Sequence, residues 1–135
     1  AMIFCAAAGL LAVLLATAAS ACVPDLPGQG QEIASARYTV KYRTQPDKVV
    51  VGGFFAVEFA ICAERGATLP DEVRIDASMP EHRHGMNYKA IVKSVGPGRY
   101  RGEGLMLHMA GQWEFVFELR GGGRAERLTH GRAIE

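Results

Sequence analysis

The chain has 135 residues, enough for one domain with a real core and too few for most multi-part catalytic machinery. Fifteen Lys and Arg against 14 Asp and Glu give a formal net charge of +1, and no basic run suggests nucleic acid. The 49% hydrophobic content is unevenly placed: 18 of the first 21 residues are apolar, and every charged residue comes after them.

Residues 1–21 read as an export signal. Leu10, Leu11, Val13, Leu14 and Leu15 form the apolar stretch, and Ala19-Ser20-Ala21 matches an A-x-A cleavage site. No Lys or Arg precedes the apolar run, as expected if the leader begins upstream of Ala1. A permanent membrane helix is the alternative, since about 20 residues can span a bilayer, but the small-residue end argues against it. Cys22 follows the cut site directly, which is close to a bacterial lipoprotein signal with the lipid on Cys22. A plain secreted terminus is the other outcome. Either fate places the chain in the periplasm or an equivalent extracytoplasmic space, with a lipid anchor as its link to the membrane. Cys22 and Cys62 remain after cleavage, and an oxidising compartment would let them pair. The favoured expectation for Cys62 is instead a small buried hydrophobe, with Cys22 on a loose linker.

Residues 22–35 are polar and punctuated by Pro and Gly, which suggests that linker, and 36–135 form the folded domain. The domain reads as short strands. Tyr38, Val40 and Tyr42 alternate with Thr39, Lys41 and Arg43; Val49–Val51 is a short apolar run; Phe54–Cys62 suits a central strand. Further strands are expected over Glu72–Met79, Tyr88–Val95, Arg99–Met109 and Gln112–Arg120, with a loop at 80–87. Trp113, Phe115, Phe117 and Leu119 share one face, and Gly121-Gly122-Gly123 signals a hairpin into Arg124–Ile134. Seven or eight such strands indicate an all-β, immunoglobulin-like antiparallel sandwich, with a small barrel as the runner-up.

One stretch could carry chemistry. Met79-Pro80-Glu81-His82-Arg83-His84-Gly85-Met86 and Met106-Leu107-His108-Met109 hold three of the four His and every Met beyond the leader. Imidazole with thioether and no thiolate suits copper, the cuprous ion above all. Two His one residue apart share a side if the backbone is extended. Zinc through His82, His84, His108 and Glu81 is a weaker fit, because structural zinc sites usually employ cysteine. Met79, Met106 and Met109 at strand ends also suit core filling, and Arg83 adds unwanted positive charge unless it points away. His130 stands alone, as a structural or solvated residue. Nothing supports an enzyme: G-x-S-x-G and phosphate-loop patterns are missing, and the Gly triplet opens no helix.

These motifs resemble the YtkA-like domain family, related in general form to FixH-type and CopC-type extracytoplasmic proteins. Val51-Gly52-Gly53-Phe54, the run from Asp76 to Met86, Gly98-Arg99-Tyr100 and the run from Gly104 to Trp113 carry the resemblance. It implies a small exported or lipid-anchored all-β domain, often in copper-handling or respiratory-oxidase contexts. Carried over by position, the implied metal ligands are Met79, His82, His84, Met86, His108 and Met109. Two functions follow: a copper-binding module that passes copper to another envelope protein, or a non-metal interaction domain of an envelope complex.

Overall fold

The computed structural model describes residues 21–135, so the expected leader lies, apart from Ala21, outside the described residues. Among the described residues nine strands form: β1 (Gln31–Ala34), β2 (Tyr38–Gln45), β3 (Phe54–Ala63), β4 (Glu72–Met79), β5 (His84–Gly85), β6 (Ile91–Gly96), β7 (Arg99–Met106), β8 (Gly111–Gly121) and β9 (Arg124–Ile134). They pair antiparallel in two sheets, ordered β1-β2-β3-β7-β6 and β5-β4-β8-β9, and no helix occurs among the described residues. The sandwich expected from the sequence is therefore the fold, and β3 is central in its sheet, as its apolar run required.

Alternation decides which side chains meet between the sheets. Trp113, Phe115 and Phe117 have no exposed surface, and Tyr38, Val40 and Tyr42 face them from β2 with at most 1% exposed. Tyr42 packs at 5.6 Å from Phe115 and 5.1 Å from Phe117, between ring centroids, and its hydroxyl is bonded to His130 Nδ1. His130 is thus structural. Val49–Val51 is a turn-forming loop rather than a strand, although Val49 still reaches the core.

The stretch read as a loose linker at 22–35 is a docked strap that ends in β1. Gln31 to Ala34 pair with Tyr42 to Thr39 of β2. Lys41 Nζ donates to the Leu26 carbonyl at 2.9 Å and the Gly28 carbonyl at 2.8 Å, the Arg43 guanidinium donates to the Pro27 carbonyl, and Leu26 is buried. The outward cations of β2 hold it there; a polar segment without period gives no hint of that from its own residues. The β6–β7 turn needs glycine at 98, where φ is +66° and a Cβ would lie 2.7 Å from the Ile61 carbonyl oxygen.

Phe115→Ala is expected to cost about 3–5 kcal/mol, the range for a buried aromatic truncated in a packed core. A chemical melt checks this, and a loss under about 1 kcal/mol would refute the packing described. Tyr42 gives a second expectation. Burial pushes its phenol up to about 12, against a downward pull from Arg132. An unfolded tyrosine ionises near about 10, so between there and about 12 the native chain keeps a proton the unfolded chain sheds. Stability is full below about pH 10 and falls as pH rises through the native value. Denaturant midpoints across that window should fall more steeply for the parent than for Tyr42→Phe.

Candidate functional site

β4 ends on Met79 and the chain turns back at once. His82 N donates to the Met79 carbonyl at 3.1 Å, and Arg83 N donates to the Pro80 carbonyl at 3.3 Å. Arg83 then takes a left-handed conformation, φ 55°, uncommon for a residue other than glycine. That reversal sets His84 opposite Met79 and Gly85 opposite Ser78, and Met86 N closes on the Ala77 carbonyl at 3.1 Å. The expectation that His82 and His84 converge through an extended backbone is therefore corrected: a tight turn brings them together. Their ring centroids lie 5.6 Å apart.

The second window arrives from the other sheet. Beyond β7, Leu107 is buried and its carbonyl accepts from Gly52 N at 2.9 Å, which leaves His108 exposed. Its ring lies 5.0 Å from that of His84. Trp113, the first inward residue of β8, supports both imidazoles, with centroids 6.1 Å from His84 and 5.5 Å from His108. The indole Nε1 donates to the Met109 carbonyl at 3.0 Å, which holds the 107–110 loop against β8. The sequence places Trp113 on the inward face and at the end of the run from Gly104 that carries the family resemblance, but not among the site residues.

His84 occupies the middle of this row, and its Nδ1 is buried without a hydrogen-bond partner. An unsatisfied buried polar atom costs roughly 1–3 kcal/mol, so the position suits a bound group that would satisfy it. The three imidazoles do not form a closed trio. Their donor atoms do not all lie within 4.8 Å of one another, a distance met among the described residues by Cys22, Cys62 and Glu64. One ion shared by all three would need the exposed His82 or His108 ring to rotate.

The methionines divide. Met79 is 1% exposed and belongs to the core, and a Cβ at Gly111 would sit 2.6 Å from its Cε. Met86 and Met109 are half-buried and pack on the edge of the core at the histidine pole. Met106 is registered opposite the exposed Phe54, on the outer face of its sheet. Arg83 is exposed and lines a shallow hollow with Asp76, Glu114 and His84, while Glu81 is exposed too. An exposed edge-on aromatic pair, Phe54 and Tyr88 at 5.2 Å, stands at the same pole and was not singled out from sequence.

The cysteines correct the expectation of a free, buried Cys62. Cys22 and Cys62 form a disulfide across 40 residues, with Cα atoms 6.0 Å apart, and Cys62 is half-buried. The docked strap carries Cys22 to the end of β3, far from the histidines. Two cysteines left after an export leader were the signal, and the assumption of a loose linker hid it.

The YtkA-like family model matches residues 32–117. The chain belongs to the YtkA-like family. Among solved structures, it is similar to a DUF4426 family protein from Pseudomonas aeruginosa PAO1, at 12% identity and a TM-score of 0.51. That match covers 78% of this chain and 94% of the other, and at this identity it speaks for the fold alone. No curated protein matches the chain. The two His windows meet at one pole of this YtkA-like sandwich, and Met79 lies beneath them in the core.

One sulfur cannot be both lipidated and in a disulfide. Intact mass of the chain recovered from cells, before and after reduction, is expected to show the paired form without a diacylglyceryl addition. A lipid mass on Cys22 would refute the pairing.

Proposed function

We propose that the protein is an exported, non-enzymatic module that binds copper, cuprous by preference, and exchanges it with another envelope protein. The observation that carries the reading is the row His82, His84 and His108, with the buried, unpartnered Nδ1 of His84 at its centre. Imidazole and thioether donors suit soft copper ions and survive an oxidising space. His82, His84 and His108 would hold the ion, with Met86 or Met109 as the thioether donor. Met79 serves as the packed floor unless its buried side chain turns. The Trp113 bond to the Met109 carbonyl orients the loop that carries two of these donors, an outer-shell role. Export rests on the leader at residues 1–21 and agrees with a disulfide in the mature part. The second reading, an interaction domain without metal, has its own support in the exposed Phe54–Tyr88 pair.

Trp113 is the only tryptophan, so its fluorescence reports directly on the site. Cuprous titration under competition is expected to quench it with a single saturating ion. Melting free energy should rise by about 2.7 kcal/mol at a hundredfold excess over the dissociation constant. The His82→Ala/His84→Ala double variant should lose both effects. If parent and double variant respond alike, the metal reading fails and the interaction reading stands.

A further inference from the structure

We propose that Cys22 and Cys62, once reduced, form with Glu64 a second metal site, for a divalent cation of the zinc class, at the pole opposite the histidines. It does not depend on the copper reading.

Glu64 follows β3 directly, and its backbone N donates to the Arg37 carbonyl at 2.8 Å. Thr39 Oγ1 donates to Glu64 Oε1 at 2.8 Å, which fixes the carboxylate against the strap. Oε1 then lies 3.1 Å from Cys22 Sγ, and Oε2 accepts from Cys22 N at 3.3 Å. A disulfide sulfur has no proton to donate, so the contact with Sγ is not a hydrogen bond in the oxidised chain. The carboxylate is held there by its other partners. Among the described residues no Lys or Arg makes a salt bridge with Glu64. Donor atoms of all three residues lie within 4.8 Å of one another.

Reduction changes what this arrangement needs. A dithiol reductant takes the bridge apart: two cysteine thiols form, and the reductant becomes a cyclic disulfide. Loss of both thiol protons beside the Glu64 carboxylate would place three negative charges together, with the amine of Cys22, once the leader is cut, as the one cation among the contacts of Glu64. A dication removes that obstacle and displaces both protons to solvent. Two thiolates and a carboxylate, with water completing a tetrahedron, suit zinc. The carboxylate oxygen is a hard donor that a cuprous ion held by the two thiolates would not use, so zinc is the ion for which all three donors serve. The sulfurs must move apart to about 3.8 Å, the span across a tetrahedral ion at a Zn–S distance of about 2.3 Å. The Cα separation of 6.0 Å leaves room for that through rotamer changes alone.

The test uses the protein after removal of the leader, which leaves Cys22 and Cys62 as its two cysteines, in the His82→Ala/His84→Ala background, so that zinc on the imidazoles does not contribute. Zinc competition against a chromophoric chelator is run on oxidised and on dithiol-reduced protein, with alkylation of the thiols followed by mass. The expected result is a single zinc ion per reduced chain, none per oxidised chain, and both thiols shielded from alkylation by zinc. Glu64→Gln keeps the disulfide, so its fold is checked in the oxidised form, and reduced it should bind at least about tenfold more weakly. Cys62→Ser should not bind. Equal uptake by reduced and oxidised chains, alkylation at one rate with and without zinc, or unchanged affinity in Glu64→Gln would each overturn the site. A chain that unfolds on reduction and is not restored by zinc would overturn it as well. Copper titration of the parent has no bearing on these outcomes, so the two sites fail separately.

Discussion

The two-residue period of β8 is the constraint on which the rest of the structure depends. It is paired on both sides, by β4 and β9, so its register is set twice. A slip of one residue would turn Trp113, Phe115, Phe117 and Leu119 outward together, and the space between the sheets would have nothing to fill it. The same period reaches the histidines. Trp113 is the first inward rung of the strand, its ring lies beside His84 and His108, and its N–H holds the Met109 carbonyl. Core and site therefore share a residue, and the loop from β7 is placed by the packing of a strand in the other sheet.

That sharing explains what the sequence made legible. Where apolar side chains alternate with polar ones along a strand, the alternation states its identity outright, as in β2, β4 and β8. The hairpin at Gly121–Gly123 and the crowding of His and Met in two windows needed no tertiary information either. What failed to show was whatever depends on partners distant in the chain. The turn at Pro80–Arg83 puts a non-glycine residue in a left-handed conformation, which composition does not announce. The strap at 22–30 has no hydrophobic period: the buried Pro24 and Leu26, the bridge from Cys22 and the cations Lys41 and Arg43 of the next strand hold it. Once it is known to be docked, the pairing of Cys22 with Cys62 follows, since its far end has nowhere else to go. Among the methionines, spacing could not separate Met79 from Met86 and Met109. The distinction is one of depth: Met79 ends a strand facing inward, whereas the others sit on loops that return over the core edge.

The two poles of the sandwich differ in the kind of donor they offer, and the difference follows from how each is built. β3 runs between them, and ten residues of extended chain span about 30 Å. At the pole where β3 begins, imidazoles and half-buried thioethers gather, with His82 and His108 exposed to solvent. At the pole where β3 ends, two sulfurs are locked to each other in the disulfide that closes the strap, with the Glu64 carboxylate fixed beside them. An exposed pair of thiols at the first pole would close on itself in an oxidising space and cease to be a ligand. Imidazole and thioether do not undergo that closure, whereas the oxidation product of the Cys22 and Cys62 thiols is the bond that staples the strap to β3.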